Sequence, residues 1–348
     1  MIAEPSHPKG QTSPVTVREA FDAAPDDGTG ERVGPHTKIW QGMRSVRPGE
    51  NQPGHFSHCR LHWDRPSPTV RKANGLAHYH MWHPHDHRVI RLSECKRIGS
   101  FPDAYRLTGQ IGESWDRIGN SVPPLLMRAI ARHLRGLPPL PLVPALPYRE
   151  ALAAAWAEHL APRAPDAPTV ISTFAGGGGS SLGYSMAGFR EVLLVEWDDN
   201  AAETLRLNFP TVPLFHGDIA KLSVEQALKM SGLRPRELDV LDGSPPCQGF
   251  STAGKRDFGD KRNQLFKEYV RLLRGLRPKV FVMENVSGMV KGDMKLIFAE
   301  ILTELKASGY AVKARLLNAM FFGVPQSRER MSITGVRDDR LPLTPPGA

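Results

Sequence analysis

The chain has 348 residues, 40% of them hydrophobic, enough for a sizeable core in one domain of ordinary size with a smaller one beside it. A formal charge of +9 and a sequence pI near 9.6 favour a polyanionic partner, and the composition disfavours disorder. Three unevenly spaced cysteines make neither a disulfide framework nor a metal pattern, no signal peptide precedes residue 20 and no apolar run would span a bilayer, so a cytoplasmic protein without membrane contact is expected.

Residues 1–88 are rich in Pro, Gly, His and Arg and poor in apolar period, which predicts loops and short strands. Between residues 38 and 72, seven basic residues (Lys38, Arg44, Arg47, Arg60, Arg65, Arg71, Lys72) outnumber Glu50 and Asp64 and are interleaved with Trp40, Phe56 and Trp63, the pattern of a phosphate-contacting surface. The histidine run at 78–87 fits no regular tetrahedral metal site and reads as surface histidines near a phosphate backbone. Ser93 is the expected N-cap of a short helix ending near Gly99, and Phe101 and Tyr105 are expected to be buried at the ends of a turn. Pro123 and Pro124 suit the first turn of an amphipathic helix over 125–134. Proline-rich stretches flank an alanine-rich helix at 148–160, so 137–168 reads as a linker.

From Thr169 onward strand and helix signals alternate, the mark of a doubly wound α/β sheet. Strands are expected at 169–174, 191–195, 212–215, 239–241, 280–283, 312–317 and 331–335, with a helix at 199–208. The loop Ala175-Gly176-Gly177-Gly178-Gly179-Ser180-Ser181-Leu182-Gly183 fails the dinucleotide fingerprint, because the third glycine position falls on Ser181 or Leu182. A ribose still fits. Glu196 at the end of the second strand can accept both hydroxyls, Trp197 can stack on a base, and Asp218 can accept from an exocyclic amine. The alternative is a set of turn glycines and capping acids with no ligand.

The stretch Leu241-Asp242-Gly243-Ser244-Pro245-Pro246-Cys247-Gln248-Gly249-Phe250-Ser251 ends a buried strand abruptly, and its two prolines give the Cys247 thiol a defined direction at a sheet edge where ligands bind. Most free cysteines are merely small buried hydrophobes. Here Glu284-Asn285-Val286 ends another strand at the same edge, so a carboxyl and a thiol face one cleft. Alternation would put Gln326, Arg328 and Arg330 on one face of a further strand. Taken singly, Glu284 is an ordinary cap and the arginines a solvated edge.

Phe174-Ala175-Gly176-Gly177-Gly178-Gly179, Pro245-Pro246-Cys247-Gln248, Glu284-Asn285-Val286, Gln326-x-Arg328-x-Arg330 and Gly119-Asn120-Ser121-Val122 resemble the motifs of the DNA cytosine-5 methyltransferases, and nearly the whole chain takes part. Their order departs from the usual one: the recognition region, Phe101-Pro102-Asp103 and the Gly-Asn-Ser-Val element precede the glycine loop instead of closing the chain. Residues 16–21 resemble what normally follows the Gln-x-Arg-x-Arg motif, and residues 62–70 what normally follows the recognition loops, so the chain is similar to a circular permutation rejoined through 137–168. The resemblance implies a Rossmann-like class I methyltransferase domain with a small irregular target-recognition domain. The corresponding divisions are 1–112 for recognition, 113–136 completing the catalytic domain, 137–168 as linker and 169–348 for S-adenosylmethionine binding.

It further implies a mechanism. Cys247 adds to C6 of a flipped cytosine, Glu284 acts at N3 and Arg330 holds O2, with Arg328, Asn285 and Gln248 in support. S-adenosylmethionine, leaving as S-adenosylhomocysteine, is assigned to Phe174, Ala175, Gly176, Gly178, Gly179, Ser180, Glu196, Trp197, Asp218, Ile219, Pro245, Leu265, Asn120 and Ser121. Ser251, Arg44, Arg47, Arg60 and Arg71 are the candidates for DNA contact, residues 248–260 a lid, and no metal is called for. The implied setting is a monomer on duplex DNA, nucleoid-associated in a bacterial cytoplasm, as the modification half of a restriction-modification system with a cognate endonuclease as functional partner. A tRNA cytosine-5 methyltransferase and an orphan or regulatory DNA methyltransferase are the alternatives within the family. A noncatalytic descendant would be expected to lose Cys247 or Glu284, and a nicotinamide oxidoreductase is disfavoured by the failed fingerprint.

Overall fold

The computed structural model describes residues 1–10, 13–30, 37–55, 58–72, 80–139, 146–246, 264–290 and 294–341. The first half holds α1 (Val17–Phe21), α2 (Lys38–Gly42), β1 (Cys59–Arg60), β2 (Met81–Trp82), α3 (Leu92–Ile98), α4 (Ile111–Asn120), α5 (Pro124–Leu134) and α6 (Tyr148–Leu160). The second half alternates β3 (Thr169–Thr173), α7 (Gly179–Met186), β4 (Arg190–Glu196), α8 (Asp199–Asn208), β5 (Leu214–His216), α9 (Val224–Ser231), β6 (Val240–Gly243), α10 (Gln264–Leu276), β7 (Val280–Val286), α11 (Met294–Ala307), β8 (Tyr310–Asn318) and β9 (Glu329–Arg337).

The seven strands β3 to β9 form one sheet in the order β5-β4-β3-β6-β7-β9-β8. Its first five members are parallel, and β9 enters antiparallel between β7 and β8. This is a Rossmann-like, doubly wound arrangement in which β9 alone runs against the other six strands. The order reverses between β3 and β6, and in an open α/β sheet the crevice at such a reversal, beyond the strands' carboxyl ends, receives the ligand. Each central strand is buried on both faces, as a sheet covered by helices requires. Val170, Val240, Val280, Val282 and Val336 belong to a cluster with α5, Tyr184 and Phe189, while Ile171, Leu241, Phe281, Met283 and Ile333 pack in another with Tyr269, Leu272 and Leu273 of α10. Helices α5 and α7 approach so closely that a Cβ on Gly183 would lie 2.5 Å from the Pro124 carbonyl oxygen and 2.6 Å from Met127 Cβ.

Helix α6, inside the segment read as a linker, is bound into the core. Tyr148, Leu152 and Ala155 are buried, the Tyr148 hydroxyl donates to the Arg97 carbonyl at 2.8 Å, and Glu158 pairs with Arg128 at 2.6 Å. Ser93 does not cap α3. The cap position is Arg91, whose amide donates to the Glu94 carboxylate, and Ser93 lies inside the helix with its hydroxyl donating to the Pro25 carbonyl. The same turn recruits the acid of Asp27 onto the Ser93 amide, which leaves the serine free for a tertiary contact.

In the small half, the described histidines of the run divide: His85 is exposed and His87 half-buried, whereas His80 and His83 are not at the surface. His83 is buried, stacked on Phe21 at 5.8 Å, and its Nδ1 accepts from the Asp86 amide at 2.9 Å; His80 is also buried. Burial lowers the imidazole pKa of His83, of His7 beneath β9 and of His159 on α6 from 6.5 to about 4 each. The fold excludes a proton that the unfolded chain accepts below pH 6.5, so their contribution is intact above that pH and is lost as the pH falls towards 4. Histidine NMR titration should therefore show three rings still neutral at pH 5; midpoints near 6.5 for all thirteen would contradict the packing.

Candidate active site

The glycine loop leaves β3 through strained backbone. Phe174, immediately after the last strand residue, has φ +53°, a left-handed value costly for an aromatic residue, followed by Gly176 at +52° and Gly178 at +76°. The loop is fixed from the first half of the chain: the Tyr105 hydroxyl donates to the Gly177 carbonyl at 2.7 Å. A Cβ on Gly178 would strike that same hydroxyl, and one on Gly179 the Val122 carbonyl and Ser121 Cβ. Gly178 is thus required by packing against Tyr105 and α8, and Gly179 by packing against the Gly-Asn-Ser-Val element. Beside Gly176 there is open space, the nearest atom to a Cβ there being 4.0 Å away.

Glu196, buried at the end of β4, draws the edge of this hollow together. Its Oε2 accepts from the Gly176 amide at 2.6 Å, and its Oε1 from the amides of Trp197 and Asp198 at 2.9 Å. The Trp197 ring is 75% exposed. The Gly217 amide donates to the Glu196 carbonyl at 2.9 Å, which brings exposed Asp218 to the same edge above buried Ile219. Asn120 is exposed at the end of α4, and buried Ser121 turns its hydroxyl back to the Arg117 carbonyl. Arg117, under Gly177, reaches the Asp198 carboxylate at 3.3 Å and joins α4 to the start of α8.

On the other side of the reversal lies the acid. Register pairs Gly243 with Met283, so Glu284 stands one step beyond, level with Ser244. Glu284 lies diagonally across from Arg330, because β7 and β9 pair Glu284 with Ser332 and Val286 with Arg330. The Arg330 Nε stands 2.6 Å from Glu284 Oε1, and both side chains are largely buried. Asn285 donates to the carbonyl of buried Pro245 at 3.1 Å, tying β7 to the loop that leads towards the thiol. Leu265 is half-buried in the first turn of α10. Cys247, Gln248 and Ser251, and the expected lid at 248–260, lie outside the described residues.

Arg328 is 1% exposed and lies before β9, so it does not share a strand face with Arg330 as alternation suggested. Its guanidinium donates to the carbonyls of Val70 at 2.8 Å, Gly119 at 2.6 Å and Ser121 at 3.0 Å. Gln326 accepts from the Val70 amide at 3.0 Å. The two side chains stitch the end of the recognition region, the Gly-Asn-Ser-Val element and the base of β9 together. Burial lowers the Arg328 pKa to about 9, with Arg330 acting in the same direction, so this clamp is held at a cost.

One assigned DNA contact is overturned. Arg60 is buried, and its guanidinium donates to the carbonyls of Val46, His83, Asp86 and Met43 at 2.8 to 3.1 Å, so it organises the small half from within. Arg44, Arg47 and Arg71 are exposed, Arg44 lying over the Trp40 ring at 5.3 Å. Sequence reasoning also passed over Asp242, a carboxyl inside an otherwise apolar strand; that polar interruption was the available signal.

A model of the family described as "C-5 cytosine-specific DNA methylase" matches residues 22–136 and 168–345. The chain belongs to the C-5 cytosine-specific DNA methylases. Among relatives, it is 43% identical over 177 residues to the Type II methyltransferase M.AquIA of Picosynechococcus sp., a match covering 48% of this chain and 71% of that protein. It is 44% identical over 173 residues to the Type II methyltransferase M1.HphI of Haemophilus parahaemolyticus, covering 49% and 46% respectively. A solved structure of a putative DNA modification methyltransferase encoded within a prophage (E. coli) is 32% identical, covers 50% of this chain and 47% of that one, and has a TM-score of 0.44. M.AquIA aside, the chain spans about half the length, or less, of the relatives named here. No helix among the described residues is long and apolar enough to cross a membrane.

Proposed function

We propose that this methylase transfers a methyl group to C5 of a flipped cytosine in a short duplex DNA site, as the modification enzyme of a restriction-modification system with a cognate endonuclease. The observation that carries this reading is the convergence, at one reversal of strand order, of a strained glycine loop tied to Glu196 and a buried Glu284–Arg330 pair beside Ser244 and Pro245.

S-adenosylmethionine fits the hollow and supplies the electrophilic methyl group. The opening beside Gly176, the acidic rim of Glu196 and Asp218 and the exposed Trp197 ring suit a ribose and a purine, while Phe174, Ala175 and Ile219 line its apolar side. Asn120 and Ser121 would hold its methionine end, and Ser180, Pro245 and Leu265 would back it, with Gly178 and Gly179 shaping the loop. On the base side, Cys247 bonds to C6 as a thiolate, Glu284 supports N3, and Arg330 binds O2 while orienting Glu284. This makes C5 enamine-like and nucleophilic. Loss of the C5 proton after transfer expels the thiolate and restores the ring. Asn285 and Gln248 position the thiol loop, and Arg328 holds the surrounding segments. Arg44, Arg47, Arg71 and Ser251 contact DNA.

The order of motifs is a circular permutation, with residues 137–168 rejoining the old ends. Residues 119–134 support this reading, since they pack on the glycine loop and α7 although they precede both in the chain.

Incubation with labelled S-adenosylmethionine should label mixed-sequence duplex DNA and not tRNA, and bisulfite sequencing of the product should show protected cytosines within one short site. Label confined to tRNA would keep the chemistry and overturn the substrate.

A further inference from the structure

Asp242 is 2% exposed, on β6 between the two halves of the site, and the proposed reaction gives it no task. Its surroundings are specific. The Ser180 hydroxyl, one residue into α7, donates to Oδ2 at 2.5 Å, and the Tyr184 hydroxyl, one turn further along, donates to Oδ1 at 3.3 Å. The Thr173 hydroxyl, at the last residue of β3, donates to the Asp242 carbonyl at 2.9 Å. Register places Ser172 beside Asp242 and Thr173 beside Gly243. The glycine loop begins one residue after Thr173, and the Ser-Pro-Pro-Cys loop one residue after Gly243. Both loops are therefore anchored at one pair of strand ends, and a Cβ on Gly243 would collide with the Thr173 hydroxyl and the Tyr269 ring.

We propose that Asp242 is a positioning residue for methyl transfer, its carboxylate tying the Ser180 end of the cofactor loop to the strand end that leads into the nucleophile loop so that donor and cytosine meet at a fixed separation. This rests on the function proposed above. The carboxyl touches neither ligand in that arrangement; it acts through the residues it holds. Its position is unfavourable for stability: burial raises its pKa from 3.8 to about 7, and the nearby Glu284 carboxylate acts in the same direction. A buried carboxyl bonded by two hydroxyls, inside a strand of apolar residues, is the kind of local conflict that functional sites retain.

Asp242→Asn keeps an acceptor for Ser180, whereas Asp242→Val and Ser180→Ala each remove the link. Methyl-transfer kinetics on duplex DNA should show Asp242→Val with kcat lowered about 10- to 100-fold and KM for S-adenosylmethionine changed much less, as a misplacement near 1 Å does. Asp242→Asn should recover most of that kcat, and Asp242→Val/Ser180→Ala should be no slower than Asp242→Val alone. If kcat stays at the wild-type value in Asp242→Val, whatever its melting temperature, or if the two substitutions multiply independently, the positioning role is wrong. A wild-type chain that transfers no methyl group to any nucleic acid would instead remove the parent reading and this one together.

Discussion

Cys247→Ser is expected to lower the rate of methyl transfer on the order of 10⁴-fold or more, as loss of a covalent nucleophile does in other enzymes, while S-adenosylhomocysteine still raises the melting temperature. On the proposed mechanism a serine hydroxyl cannot supply the thiolate that makes C5 reactive, and the hollow proposed for the cofactor, beside Gly176 and Glu196, lies across the strand reversal. Glu284→Gln should cost less, about 10²–10⁴-fold in kcat, the usual range for a positioned acid. The amide can still face N3 but cannot transfer a proton, and it leaves the buried Arg330 guanidinium without its ionic partner at 2.6 Å. Single-turnover methylation with trapping of the C6 adduct separates the two variants. Cys247→Ser should form no adduct, and Glu284→Gln should form it slowly. Turnover by Cys247→Ser at a tenth of the wild-type rate would rule out covalent addition.

Arg328→Met is expected to destabilise the fold by about 3 kcal/mol, well beyond an ordinary surface substitution. The variant leaves the carbonyls of Val70, Gly119 and Ser121 buried without their donor, each worth about 1–3 kcal/mol if unmet. Against this, removing a guanidinium whose pKa burial has already lowered to about 9 relieves part of the cost, so the lower end of the sum is expected. Arg328→Lys should rescue little, since one ammonium cannot reproduce a planar fork spanning two chain segments. Urea unfolding monitored by tryptophan fluorescence checks both. An unchanged midpoint for Arg328→Met would mean that water replaces the guanidinium and that the seam between the halves is looser than its geometry indicates.

Much of the site is written in local sequence. Strand ends are legible because apolar runs stop at glycine or proline, and β6 and β7 occur where Gly243 and Glu284 signal, although β7 continues through Val286. Glu196 at the end of β4 could be anticipated from its place after Leu193, Leu194 and Val195. The roles of arginine and histidine could not. Arg44 and Arg60 look alike in a basic, aromatic-interleaved stretch, yet one lies exposed over Trp40 and the other is consumed by four carbonyls that come together only when β1 and β2 pair.

By itself, the sequence determined the alternating α/β half, the family and the residues on which the proposed methyl transfer rests, because these depend on hydrophobic period, chain breakers and motif spacing. Only the tertiary structure decided that α6 is a packed helix, that Gly178 and Gly179 make room for Tyr105 and the Gly-Asn-Ser-Val element, that Arg328 is a clamp and that Ser180 bonds the buried Asp242 carboxylate. Each of these depends on which carbonyls and hydroxyls remain unpaired after the strands have been ordered, and that is set by contacts between segments more than fifty residues apart.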